Sequence, residues 1–265
     1  MGRNIRLTTA DAVSLDAVVE GPPSGLYRGV VILVHGISAD LEEDGQFGPL
    51  AHELAGQGFV CVRFSFRGHG RSDGEPQQVT IAGEVLDLQA VLGYARATFP
   101  GSLSIVAASF GAVSTVLLLS QSEASLASLV LWYPVLDTRR TFLESELPWG
   151  LENFEVRREA IERDGYLVMN GWFRVGRALY QEFDQHDIVG HLMANPLPTL
   201  VVHGDKDSCV SYDLARSMAQ ERPSTAFVTI RGSEHGFDAS GHRNAAIRVT
   251  ADWLVDHHPI RLDTQ

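Results

Sequence analysis

Three residues of this 265-residue chain have the types and surroundings for nucleophilic chemistry: Ser109, Asp207 and His235. A serine hydroxyl is a poor nucleophile until a base takes its proton, and the base works best when a carboxylate fixes its tautomer. Ser109 stands in Ser104-Ile105-Val106-Ala107-Ala108-Ser109-Phe110-Gly111-Ala112-Val113. A short apolar, β-branched run stops at the serine and a helix-like apolar pattern over 113–119 follows at once, which predicts strand, sharp turn, helix with the hydroxyl at the apex. Such a turn needs small residues two before and two after its apex, and Ala107 and Gly111 meet that need. A hydroxyl held there sits at a helix N-terminus, where free N–H groups and the helix dipole stabilise a developing oxyanion. The same pattern also describes an ordinary turn with Ser109 as the helix N-cap, and alone it does not decide between the two.

The elements that must position these residues follow from hydrophobic patterning. Residues 5–7 and 13–19 read as two antiparallel strands. The stretch 29–34 is a fully buried strand by its continuous Val/Ile/Leu composition, and it ends in His35-Gly36-Ile37-Ser38. Further strands are expected at 59–64, 104–108, 129–133, 198–202 and 226–230, with helices over 47–57, 81–98, 113–119, 212–220 and 244–256. Arg67-Gly68-His69-Gly70-Arg71-Ser72-Asp73-Gly74 is too glycine-rich for either element and reads as a loop. Strands alternating with helices mean an α/β fold with a mostly parallel sheet covered on both faces. The rhythm changes over 137–195, richer in charge and aromatics, which reads as an insertion of two or three helices and a hairpin. In such a sheet, ligands bind beyond the carboxyl ends of the strands. Four of those ends carry polar loops: His35-Gly36-Ile37, Ser109, Asp207, and Gly232-Ser233-Glu234-His235-Gly236-Phe237.

Composition narrows the function classes. A hydrophobic share of 45% with 20% charged residues is ordinary for a globular protein. The net charge of −12 argues against nucleic acid and anionic membrane surfaces as partners. Cys61 and Cys209 make no disulfide framework, the first ten residues are polar, and no segment approaches a transmembrane span. The expectation is a cytoplasmic protein acting on a small molecule.

Taken in order, His35-Gly36, Gly68-His69-Gly70-Arg71-Ser72, Ala107-Ala108-Ser109-Phe110-Gly111, His203-Gly204-Asp205-Lys206-Asp207-Ser208-Cys209-Val210 and Glu234-His235-Gly236-Phe237 resemble the α/β-hydrolase superfamily. The resemblance covers nearly the whole chain and is nearest the cinnamoyl/feruloyl esterase and serine-aminopeptidase-like branch, whose layout Gly171-Trp172-Phe173 through Tyr180, Asp187-Ile188 and Pro198 follow. It implies an α/β-hydrolase fold with an eight-stranded, mostly parallel sheet. Residues 1–136 and 196–265 would form the core domain, and 137–195 a small helical lid. It further implies that Ser109 attacks an acyl carbonyl, that His235 is general base and then acid, and that Asp207 orients His235. Asp207 fits the family spacing from Gly204 to Val210, which leaves Asp205 as a turn residue bonded within its own loop. The backbone N–H groups of Ile37 and Phe110 would form the oxyanion hole.

The implied function is a serine esterase taking an apolar or aromatic acyl group. A thioesterase or acyltransferase on acyl carriers, a peptidase or a carbon–carbon bond hydrolase stays open, because one oxyanion mechanism serves them all. Ala107 stands where the family usually has Gly, Ala108 where it often has His, and Phe110 where esterases often have Gln or Met. The Phe110 side chain is expected to line the acyl pocket. Trp149, Trp172 and Phe173 are candidate substrate-binding residues, with Tyr180 beside them, although an insertion this small also needs aromatics for its own core. No cofactor and no metal is expected, since no phosphate-binding glycine loop or ligand cluster is evident. His35 and His203 are expected to make buried structural hydrogen bonds, and His69 to stabilise its own loop. His186 and His191 are five residues apart and do not share a helix face. His257 and His258 carry no expected chemistry. A homodimer through an edge strand or the lid would be ordinary, but no patch demands one.

Overall fold

The computed structural model describes residues 2–121, 126–155 and 158–258. Continuous Val/Ile/Leu runs build its centre: β3 (Gly29–Val34) and β5 (Leu103–Ala108) are buried along their full length. Around them lie β1 (Arg3–Thr8), β2 (Ser14–Glu20), β4 (Phe59–Phe64) and β6 (Ser128–Trp132). Outside the main sheet, β7 (Tyr166–Met169) and β8 (Phe173–Gly176) pair as a separate antiparallel hairpin. After them come β9 (Thr199–Gly204) and β10 (Thr225–Ile230). Among the described residues the main sheet has eight strands in the order β1-β2-β4-β3-β5-β6-β9-β10. Only β2 runs against the others, so the α/β expectation and the parallel register hold.

Helices cover both faces. On one lie α1 (Phe47–Gly56) and α9 (Ser240–His257), whose apolar residues pack with Val31, Leu33, Val106 and Trp132. On the other lie α2 (Ile81–Thr98) and α3 (Gly111–Gln121). The helix α9 starts four residues earlier than the apolar periodicity predicts. Its first turn, Ser240-Gly241-His242-Arg243, is polar and carries no periodic signal.

Between β6 and β9 the chain leaves the sheet. It forms α4 (Pro148–Gly150), α5 (Arg158–Asp164), the β7–β8 hairpin, α6 (Arg177–Glu182) and α7 (Ile188–Ala194), with π-helical turns at Arg139–Leu143 and Leu151–Glu155. This is more broken than the two or three helices expected. Its apolar side chains, among them Phe142, Phe154, Leu167, Phe173 and Phe183, form one continuous cluster with the α2–α3 face of the sheet. The insertion therefore shares a core with the sheet rather than building its own. The chain closes with α8 (Tyr212–Glu221), β10 and α9. Both cysteines are free, and Cys61 is buried as expected. No helix among the described residues is long and apolar enough to cross a membrane.

Candidate active site

Chain order places the site where β3 and β5 lie side by side, with β4 to one side and β6 to the other. At such a switch point the loops leaving the strands diverge and open a crevice. Ser109 follows β5 directly and holds φ 50°, an uncommon value for a non-glycine residue, costing on the order of 1 kcal/mol. Two neighbours hold it there: its N–H donates to Trp132 O at 2.9 Å, and its carbonyl accepts from Val135 N at 3.0 Å. Close packing explains the small residues nearby. A Cβ on Gly36 would stand 2.9 Å from Ser109 Cβ, and one on Gly111 would stand 2.5 Å from His35 O.

The other two residues come from β9 and β10, on the far side of β6. Asp207 has a fully buried side chain. Its Oδ1 accepts from the N–H groups of Cys209 and Val210, each at 2.8 Å. Its Oδ2 accepts from His235 Nδ1 at 2.8 Å and from His203 Nε2 at 3.0 Å. Burial alone would raise this carboxyl, but the facing His235 and the histidine hydrogen bonds outweigh it and hold Asp207 well below the usual carboxylate range. With Nδ1 donating to Asp207, His235 turns its Nε2 lone pair to Ser109 Oγ at 3.2 Å. Burial pushes His235 down, and the Asp207 charge and hydrogen bond, helped by Glu43 and Asp44, pull it above the ordinary histidine value. The histidine loop is anchored by Phe237, fully buried against Trp132 and Tyr133. It is tied to the acid loop by Ser208 N donating to Glu234 at 3.0 Å and Gly232 N donating to Asp205 at 2.6 Å. Asp205 thus bonds the neighbouring loop rather than its own, because β9 and β10 end side by side.

The N–H groups of Ile37 and Phe110 find no protein acceptor among the described residues. Ile37 and Ser109 line a cavity of about 120 Å³ together with Gly36, Glu43, Val135, Phe142, Trp149, Asn170, Cys209 and His235. Asp207, Cys209 and His235 bring one ligand atom each within 4.8 Å of one another. Asp207 and His235 are already joined by a short hydrogen bond, and burial pushes the Cys209 thiol up to about 12, so this donor set suits hydrogen bonding better than a cation.

Residues 26–155 match the family model described as serine aminopeptidase, S33. Among solved structures, Est1E from Butyrivibrio proteoclasticus with ferulic acid bound superposes at a TM-score of 0.82, with 20% identity over 96% of this chain and 98% of that one. The Pyrococcus furiosus esterase Pf2001 gives 0.75, with 16% identity over 98% and 92% of the two chains. The esterase domain of a Rhodothermus marinus protein gives 0.71, with 16% identity over 96% and 97%. No curated protein matches the sequence. The chain has the α/β-hydrolase fold, and the serine aminopeptidase match lies within it, over residues 26–155.

The inserted segment reaches the cavity, though mostly not through the side chains the sequence singles out. Trp149 lines the cavity, whereas Trp172 is 60% exposed and Phe173 is buried. Phe173 stacks on His69 with ring centres 4.8 Å apart and belongs to the shared core. Phe110 does not line the cavity either, because its ring is buried between Phe142 and Phe183 at 5.6 and 6.0 Å. Tyr180 packs on Phe183 at 6.2 Å.

The insertion's polar reach is Asn170, which the sequence did not mark. It accepts from Trp149 Nε1 at 2.8 Å and donates to Ser38 Oγ at 3.1 Å. The Asn170-Gly171 pair, a dipeptide typical of tight hairpin turns, is the signal that points to this position. His35 makes the buried bonds expected of it: Phe66 N donates to its Nε2 at 2.9 Å, and burial beside His69 holds it neutral. His69 bonds Arg67 O in its own loop at 2.9 Å. His258 is buried and bonds Ser104 Oγ at 2.7 Å, a structural contact.

Proposed function

We propose that this hydrolase cleaves carboxylic esters of short apolar acyl groups through an acyl-enzyme on Ser109. One observation carries the reading: a single imidazole, His235, bridges Asp207 Oδ2 at 2.8 Å and Ser109 Oγ at 3.2 Å, with the serine in the cavity wall. Ser109 Oγ attacks the acyl carbonyl while His235 Nε2 takes its proton, and the Asp207 carboxylate offsets the positive charge that forms on the ring. The developing oxyanion is received by the N–H groups of Ile37 and Phe110, each worth about 3 kcal/mol in the transition state. His235 returns the proton to the leaving alkoxide, and a water then repeats the sequence on the acyl-enzyme.

Val135, Phe142, Trp149 and Val210 make one wall apolar, which suits an acyl chain, and a cavity of about 120 Å³ has room for a short one. Residues 137–195 act as a lid through Trp149 and Asn170. The ferulic acid held by Est1E makes a hydroxycinnamate the natural larger substrate to compare. The test is hydrolysis of p-nitrophenyl acetate, butyrate and decanoate, methyl ferulate, an acyl thioester and an aminoacyl anilide by wild type and Ser109→Ala. Short esters should turn over best and the variant should lose at least ~10³-fold. Full esterase activity in Ser109→Ala would end this reading, and preference for the thioester or anilide would move it to another leaving group.

A further inference from the structure

The loop after β3 contains a carboxyl group that the triad does not use. Glu43 is 5% exposed, yet with Asp44 it lines the cavity that holds Ser109. The chain goes out of its way to put it there: Glu43, Asp44 and Gly45 take φ 44°, 52° and 80° in succession. Consecutive left-handed residues, two of them not glycine, are costly and persist only where surrounding contacts impose them. The contacts are on the carboxylate. Oε2 accepts from Gly36 N at 2.7 Å, and Oε1 accepts from Tyr133 OH at 3.1 Å. Tyr133 OH in turn accepts from Gln46 Nε2 at 3.1 Å.

Each partner leads to one half of the reacting centre. Gly36 is joined directly to Ile37: Glu43 holds Gly36 at its N–H, and His35 Nδ1, 2.7 Å from Gly36 O, holds the peptide plane from which the Ile37 N–H projects. Tyr133, itself at φ 37°, lays its ring 4.5 Å from the ring of His235. We infer that Glu43 is a positioning residue: its carboxylate sets the oxyanion-binding loop through Gly36 and, through Tyr133, supports the ring of His235. This rests on the hydrolytic reading above and deepens it.

The carboxylate accepts from both Gly36 N–H and Tyr133 O–H, whereas a glutamine of the same shape has one acceptor and would keep only one of these bonds as they stand; satisfying both costs the burial of a charge. The charge has a use because His235 becomes an imidazolium during each turnover, and Glu43 then adds to the attraction supplied by Asp207. The groups that face Glu43 are Asp44 on its own loop, His235 on the loop after β10, and Tyr133 at the end of β6. Burial is the dominant influence and pushes the Glu43 carboxyl up to about 7, against the Gly36 bond, His235 and Tyr133, which favour its ionised form. The most active form therefore carries an ionised Glu43 and a neutral His235; on acidification, protonation of Glu43 lowers the rate and protonation of His235 removes the base.

The test uses Glu43→Gln, which keeps the shape without the charge, and Tyr133→Phe, which keeps the ring and removes one donor from the carboxylate. Two rates are followed from pH 5 to 9: covalent labelling of Ser109 by a fluorophosphonate, and kcat/KM for p-nitrophenyl butyrate. Glu43→Gln should lower the alkaline plateau about tenfold, in kcat rather than KM. Its acid limb should move to lower pH, because His235 loses a neighbouring negative charge. Tyr133→Phe should move the acid limb the other way, to higher pH, because the carboxylate loses a stabilising donor. A merely structural role would lower activity without these opposed shifts. If wild type labels and both variants give its profile unshifted, the inference about Glu43 is overturned alone. If wild type neither labels nor turns over ester, the hydrolytic reading falls, and this one with it.

Discussion

The carboxyl edge of the sheet and the 137–195 insertion meet at one cavity but are built in opposite ways. At the sheet edge, each functional side chain sits within a few residues of a buried strand. Ser109 follows β5, and its backbone is bonded on one side to the last residue of β6 and on the other to Val135 just beyond it. Asp207 has four hydrogen bonds on its two oxygens. The insertion is made of short helices, two π-helical turns and a four-residue-per-strand hairpin, and it meets the sheet-edge loop through Asn170 and Ser38. On the proposed function the difference is a division of labour: strand ends would hold atoms to the tolerance that bond making requires, and the insertion would shape the space for the acyl group.

The comparison is tested hardest at Gly36. A methyl group there would stand 2.9 Å from Ser109 Cβ, so Gly36→Ala forces the serine or the β3 loop to shift. A displacement of this order should lower kcat about 10²-fold, with KM little changed and the far-ultraviolet circular dichroism unaltered. Retention of wild-type kcat would mean that the sheet edge is not held so tightly.

Arg222 tests whether the two regions fold as one. Buried at the end of α8, its guanidinium donates to the carbonyls of Leu192, Asn195 and Leu197, where the insertion returns to the sheet, and to Thr225 Oγ1 at 2.6 Å. Arg222→Ala strands these acceptors and should cost about 3 kcal/mol, read as a lower denaturant midpoint. Because the aromatic cluster runs unbroken from insertion to sheet, the variant should still unfold in one transition. Two separate transitions would show the insertion to be independent.

The same contrast governs what the amino-acid sequence reveals. The sheet is legible because buried parallel strands read as continuous apolar runs, and Ser109, Asp207 and His235 are legible because each lies in a short local pattern at a strand end. Residues that act through distant partners are not. Glu43 meets Tyr133 from 90 positions away, and it reaches Gly36, seven positions back, only by way of a left-handed turn that nothing in its own residue type announces. His203 is recognisable as a buried histidine, but that its partner is Asp207 depends on the curl of the loop after β9. In the insertion, residue type marks aromatics without saying which way they face. Phe110 turns into the shared core because Phe142 and Phe183 come down upon it from the insertion.

Smaller effects should come from the hairpin, where adjacent positions differ in role. Asn170→Gly removes the bonds to Trp149 and Ser38 while suiting the residue's φ of 50°. Each bond is worth about 1 kcal/mol, so KM for p-nitrophenyl butyrate should rise roughly five- to tenfold with kcat within twofold of wild type. Two residues on, Trp172, in the turn just before β8, projects outward at 60% exposure, while Phe173, the first residue of β8, turns inward onto His69. Trp172→Ala should therefore change stability by less than ~0.5 kcal/mol and neither kinetic constant by more than about twofold. A rise in KM matching that of Asn170→Gly would place the outer face of the hairpin against the substrate, and the boundary between a precise sheet edge and an adaptable insertion would have to be drawn further from the cavity.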